Sequence, residues 1–377
     1  MRANHERLTE LRAEALKAFQ ALPDPDWYDT SVWPRVQLVD PTPKLACETR
    51  SQSLASGVIC QDLFSSSAND SELVKRFLGS VVKPATDRLV ALHYVNMNSG
   101  CLVYVPPHTE ADVVLTVDRT RDDSDEGSFH HTMVIADTGA RLRLLQTDES
   151  PDTTLVVDVV EVIAQEGAYV EYSTWQDLGI DTCHYNVRRA LLHRDASVDW
   201  LLGTFGARVS NEKTLSHLQG AGSQSSCLAL FLGSDRQRYN LAVDMLHEGE
   251  HTASDILTRG VLDRDARTVY VGRATIGSSA RHASAFQQQN TLLLSKNARV
   301  DTTPELLIGV DEVQAGHAST VGQIDQDQLF YLMSRGLPEQ IATRMIIHGF
   351  LAPIVQRVPI QDEQTRLMEL IDRKIAI

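Results

Sequence analysis

From about residue 90 to residue 322 apolar and polar positions alternate with a period of two, the mark of half-buried strands. The alternation runs through residues 140–146, 154–162, 168–175, 196–205, 226–233, 267–277 and 291–295. These segments are rich in Val, Leu, Tyr and Thr, which suit a pleated surface. No helix-length periodic segment separates them, so a βαβ plan is excluded. Small residues open strands at Gly139-Ala140, Gly167-Ala168 and Asp195-Ala196, each 28 residues after the last. The theme returns at Asp265-Ala266, Ser279-Ala280, Asn297-Ala298 and His317-Ala318 in steps of 14, 18 and 20. Near-regular starts suit a stacked solenoid; texture alone also fits a β-sandwich.

Helical periods flank this region. Leu8, Leu11, Ala15 and Phe19 share one face, Pro23 and Pro25 end the helix, and Trp27, Tyr28 and Trp33 follow as aromatic anchors. Residues 36–90 read as mixed, broken at Pro41, Pro43 and Pro84, with a short helix near residues 72–78. After residue 326, Leu329, Phe330, Leu332 and Met333 line a short helix stopped by Gly336. Pro338 suits the first position of the next helix, with Ile341, Met345 and Phe350 along its apolar face. Leu367, Leu370, Ile371 and Ile375 make a last amphipathic stretch. The chain thus divides into a mixed helical region (1–90), a strand core (91–322) and a helical end (323–377).

Composition narrows the classes of function. Thirty-five Lys and Arg against 50 Asp and Glu give a net charge of −15, which repels phosphate backbones and anionic membrane faces. No apolar run is long enough for a membrane span, and residues 1–19 lack the apolar core of a signal peptide. These features predict a cytoplasmic protein that binds neither nucleic acid nor membrane. Five dispersed cysteines, Cys47, Cys60, Cys101, Cys183 and Cys227, never form C-x-x-C. Each reads as a small buried residue, and together they cannot furnish a resident iron–sulfur cluster. The acidic stretch 121–127 reads as a solvated loop.

Catalytic motifs are sparse. The run H-E-G-E-H at His247–His251 spells the zinc-helix pattern, but Gly249 and the strand-like residues after it deny the helix that the pattern needs. There is no G-x-S-x-G elbow, P-loop or G-x-G-x-x-G fingerprint. A β-solenoid carbohydrate enzyme would need clustered acids. Asp244, Asp255, Asp263, Asp265 and Asp301 are candidates, though turn or surface roles are commoner for such residues. His317 lies between Gly316 and Ala318, where another chain can approach closely and share a metal ligand. A single His is more often a structural hydrogen-bonding residue.

The ordered series DMLHEGEHTASD (244–255), RGVL (259–262), AFQQQNTLLLS (285–295), TPELLI (303–308), GHASTVGQID (316–325) and LFYLMSRG (329–336) resembles the C-terminal half of the SufB/SufD family. These proteins are scaffolds of iron–sulfur cluster assembly. PDPDWY (23–28) loosely resembles a stretch near the family's start, and residues 90–243 fit in texture. The resemblance implies a mainly β fold, a right-handed parallel β-helix between N- and C-terminal α-helical regions. Gln289 stands where SufB-like chains carry a cysteine, and Gly316-His317-Ala318 replaces their E-H-E, so the likeness is to SufD. His317 matches the histidine that the family places at its subunit interface as a nascent-cluster ligand. The cysteine that often precedes that histidine is Ala315 here.

Taken together, the resemblance implies a non-catalytic scaffold subunit, paired with a SufB-like chain and driven by a SufC-like ATPase. The ATPase would dock around Phe330, Tyr331, Arg335 and Gly336. The cluster would be transient and shared with the partner subunit, with no permanently bound cofactor. The alternatives are a homodimeric scaffold acting without SufB, which the missing thiol at Gln289 disfavours, and the carbohydrate enzyme.

Overall fold

A computed structural model describes residues 2–24, 47–49, 56–64, 68–118, 127–149, 155–358 and 361–375. Alternating side chains commit every strand to one inward and one outward row, and the chain satisfies both by coiling between two sheets. The first sheet runs in the order β1 (Cys47–Thr49), β4 (Glu110–Asp118), β6 (Arg141–Glu149), β8 (Tyr169–Gln176), β10 (Ser197–Thr204), β12 (Gln224–Gly233), β14 (Ala253–Leu262), β16 (Ser284–Leu293) and β18 (Gln314–Gln323). The second runs β2 (Ile59–Asp62), β3 (Ser99–Val105), β5 (Ser128–Ala136), β7 (Leu155–Ala164), β9 (Cys183–Leu192), β11 (Val209–Leu218), β13 (Arg238–His247), β15 (Arg267–Ile276) and β17 (Arg299–Ile308). From β3 onward successive strands alternate between the sheets and pair in parallel within each, giving a parallel β-solenoid of about 7 turns. The sandwich alternative is set aside by this pairing.

The corners explain the repeat. Gly139, Gly167 and Asp195 all have positive φ, and their N–H groups donate to the carbonyls of Glu166, Arg194 and Ala221 on the next turn, each at 2.9 Å. Glycine adopts that backbone without strain, which accounts for two of the three. The 28-residue step is one full turn. The 14-residue step from Asp265 to Ser279 instead crosses from one corner to the other, and His317-Ala318 lies inside β18 rather than at a turn.

Three cores result. Inside the solenoid lie Val134, Val160, Val170, Tyr172, Trp200 and Met245. The outward row of the second sheet is covered by α1 (Arg2–Ala21), α2 (Ala68–Phe77) and α3 (Arg88–Asn96), with Leu11, Val90 and Tyr94 against Val157 and Tyr185. Covered on both faces, β7 is buried throughout and is apolar except for Asp158 and Glu161. The outward row of the first sheet is covered by α5 (Glu339–Val355) and α6 (Gln361–Lys374), whose Ile347, Leu351, Leu367 and Ile371 meet Trp175, Leu201 and Leu228. Arg259 fastens α5 further, donating to the Phe350 carbonyl at 2.7 Å and lying 4.9 Å from the centre of its ring.

The flanking helices follow the sequence periods, with two differences. Pro338 is the N-cap of α5 rather than its first residue. Ile341 and Met345 point to solvent, while Ala342, Ile347 and Leu351 form the packed face. α5 is apolar on more than one side, and only one side can rest on the sheet. Trp27, Tyr28, Trp33, Pro25, Pro41, Pro43 and residues 121–126 lie outside the described residues.

Candidate functional site

The two ends of the solenoid differ. At the N-terminal end short antiparallel strands β1 and β2 cover β4 and β3, and helices pack alongside. At the other end β18 and β17 are the last strands of their sheets, with no described strand beyond them. An uncovered strand edge exposes unpaired backbone groups and templates pairing with another chain. Around it, Phe286, Leu307, Ile308 and Val321 are exposed apolar residues.

His317 sits on that edge. Its register partner on β16 is Gln287, a buried lumen-facing residue, so period two places the imidazole on the inward row of the last turn. It is exposed because no further turn covers it. Among the described residues its ring makes no hydrogen bond, leaving both nitrogens available to a ligand or a partner. Beneath it, the Gln289 carboxamide oxygen accepts from Ser319 at 2.7 Å, and its amide group donates to Thr291. Ser319 also bonds Thr302 at 2.8 Å. A hydrogen-bonded polar layer thus closes the lumen, and the cavity within it is 10 Å³, room for about one water.

The thiols stand elsewhere. Cys227 lies inside the solenoid, where burial pushes its thiol up to about 12, and burial also raises Cys183. Both are protonated at neutral pH and poor metal donors. Among the described residues no group of three or more His, Cys, Asp or Glu is arranged to hold a metal.

The helical candidates form a second surface. In α4 (Gln326–Ser334) only Leu329 is buried; Phe330 is 73% and Tyr331 55% exposed. Arg335 caps this helix, its guanidinium 5.1 Å from the Tyr331 ring centre. Gly336 follows at φ +90°, turning the chain toward α5. Met333, Ile341 and Met345 extend the exposed apolar surface. His317 and these residues therefore mark two surfaces, a strand edge and a helix pair.

The remaining candidates disperse. In H-E-G-E-H, His247 ends β13 buried, its ring nitrogens 2.8 Å from the hydroxyls of Thr252 and Ser254. His251 occupies an exposed turn, stacked 4.8 Å from His282. The zinc helix is absent. Asp244 and Asp301 lie on the outer face of the second sheet, Asp255 on that of the first, and Asp263 and Asp265 at a corner between them. They share no cleft.

Residues 119–350 match the family described as "SUF system FeS cluster assembly, SufBD core domain", and residues 45–117 match "SufBD protein N-terminal region". The chain belongs to the SufBD family. This SufBD protein is 32% identical over 324 residues to iron-sulfur cluster assembly protein SufD of Bacillus subtilis, across 85% of this chain and 74% of that protein. It is 28% identical over 308 residues to an iron-sulfur cluster assembly SufBD family protein of Staphylococcus epidermidis, across 81% of this chain and 66% of the relative. It is a SufD-like member of this family of assembly proteins. Among the described residues no helix is long and apolar enough to cross a membrane.

Sequence reasoning missed one buried constellation, formed by His93, His131 and Glu161 where the N-terminal helices meet the second sheet. The sequence sign was Glu161, which with Asp158 interrupts an otherwise apolar strand.

Proposed function

We propose that this chain is the SufD-like scaffold subunit of a Suf complex. In this reading it joins a SufB-like chain along the open edge of β17 and β18. His317 offers a nitrogen to a nascent iron–sulfur cluster, which is cargo rather than a resident cofactor. The carrying observation is a lumen-row imidazole left exposed, without a hydrogen bond, on an uncovered strand edge. A partner strand would cover that row and bring its own ligands beside His317. A site divided between two chains can form and then release its cargo as the chains shift.

The work would come from a SufC-like ATPase bound to the face of Phe330, Tyr331 and Met345. That face is apolar, exposed and next to α5, whose opposite side rests on the solenoid. ATPase movement could therefore reach the strands through rigid packing. The homodimer reading has less support, because Gln289 replaces the thiol and its carboxamide is engaged by Ser319 and Thr291.

The test is His317→Ala in the complex co-expressed with its SufB-like partner. Complex recovery and melting should be unchanged while iron and sulfide content after reconstitution falls several-fold. Normal cluster yield on a folded variant complex would remove the ligand role.

A further inference from the structure

The His93–His131–Glu161 constellation holds more hydrogen bonds than two neutral imidazoles can make. Each Glu161 oxygen accepts backbone N–H groups: Oε2 from Gly79 at 2.8 Å, and Oε1 from Val81 at 2.8 Å and Val82 at 2.7 Å. His131 Nε2 lies 3.0 Å from Oε2. Surrounded by donors, the carboxyl is a carboxylate, so His131 Nε2 carries a proton. At the far end His93 Nδ1 lies 3.2 Å from the Val157 carbonyl, which only accepts, so Nδ1 carries a proton too.

Between them His93 Nε2 faces His131 Nδ1 at 3.2 Å. Two bare lone pairs would repel at that distance. A third proton turns the contact into a hydrogen bond and completes the row from carbonyl to carboxylate. We infer that the His93–His131 pair holds three N–H protons, and hence one buried positive charge, and that this charge clasps the N-terminal helical region to the solenoid.

Burial, and then the neighbouring His131, hold His93 well below the usual imidazole range, so the pair refuses a second charge. The third proton therefore resides on His131, beside Glu161. Other groups face the pair from each packed element. On α3, Tyr94 lies 5.5 Å from the His131 ring and donates to the Val82 carbonyl at 2.6 Å. Burial and Glu161 keep its phenol protonated, with Arg7 and Glu14 of α1 and Arg189 of β9 within electrostatic range. From the lumen side of β5 and β7, His130 and Asp158 act on His93. His131 and Glu161 are fully buried. Among these groups, Glu161 is the acid bonded directly to the pair.

The clasp ties together the 79–82 turn, α3, β5 and β7. Removing either ring would leave the groups it bonds buried without a partner, so the attachment depends on the intact pair. The device is local, because the far turns of the solenoid contain no part of it. It stands independently of the assembly function.

Two measurements on the full chain test this inference. With ring-15N histidine, NMR at pH 7 should show both His131 nitrogens protonated and His93 as the neutral Nδ1–H tautomer. Two neutral rings would overturn it. In hydrogen exchange at pH 7, corrected for intrinsic rate, His93→Phe should lose at least tenfold protection over residues 78–97 relative to the wild type, while residues 224–293 stay unchanged. Equal protection in the two chains would also overturn it. His93→Phe keeps an aromatic ring but removes both the acceptor for His131 and the donor to Val157. If that variant does not fold, the wild-type spectrum still decides.

Discussion

Gln287 and His317 are register partners on adjacent strands, yet Gln287 is 7% exposed and His317 faces solvent. The difference is one missing turn. Any chain that continues the stack buries His317, Val321 and Ile308 together. Placing charge on an uncovered edge prevents pairing at little cost to the monomer, typically within about 0.5 kcal/mol per surface change. Val321→Lys with Ile308→Lys should therefore leave the melt of the isolated chain nearly unchanged while abolishing recovery of a SufB-like partner. Co-purification and light scattering provide the check, and an undiminished complex would move the interface elsewhere.

The helix surface calls for point substitutions rather than truncation. Removing the chain after Asp325 would uncover Trp175, Leu201 and Leu228, which α5 and α6 now bury, so lost binding would be confounded with lost folding. Phe330 and Met345 are 73% and 51% exposed and hold nothing together. Phe330→Asp with Met345→Asp should change stability by less than about 1 kcal/mol and eliminate ATPase co-purification. Retained ATPase on the double variant would exclude this face.

Much of this architecture was legible in the sequence. Strand alternation exposed the solenoid because its outer rows are polar over most of the later turns. It was weaker where helices cover the sheet, since β7 has no polar face to alternate. The spacing of 28 emerged because glycine and aspartate fill left-handed turn positions, whereas His317-Ala318 matched the letters without the conformation. His317 was found through family motifs. Its exposure on a lumen row depends on where the stack ends, which no local pattern encodes. His93, His131 and Glu161 were invisible for a related reason: they meet through pairing between a helix and two strands far apart in the chain.

Inside the solenoid Arg188 and Glu212 form a buried ion pair at 2.8 Å, with Thr204 donating to the other carboxylate oxygen at 2.7 Å. Removing one partner strands the other's charge in the lumen, a loss of about 3–5 kcal/mol. Glu212→Gln should destabilise the chain by that order, and Arg188→Met with Glu212→Leu should recover most of it. Burial alone would raise the Glu212 carboxyl, but Arg188 and His184 outweigh it and hold it below the usual range. A lowered acid stabilises above its unfolded value, about 4.3, and that contribution disappears as pH falls through the folded value. Denaturant midpoints between pH 7 and pH 3 should therefore fall more steeply for the wild type than for the double variant.

His247 provides a separate acid response of known sign. Its ring is fully buried between the Thr252 and Ser254 hydroxyls, and burial pushes it down to about 4. In the unfolded chain the same ring titrates near 6.5, so below that value the unfolded state takes up a proton that the folded state refuses. Stability from this group is complete above about pH 6.5 and declines as pH falls toward 4. The displacement corresponds to roughly 2–4 kcal/mol at the acid end. His247→Asn keeps a hydrogen-bonding side chain but cannot titrate. It should lower stability at pH 7, by about 1–3 kcal/mol for imperfectly met hydroxyls, while flattening the slope between pH 6.5 and 4. Denaturant titrations of both chains across that interval measure the slope directly. Parallel curves would mean that His247 accepts its proton without disturbing the turn, and the role assigned to its burial would be wrong.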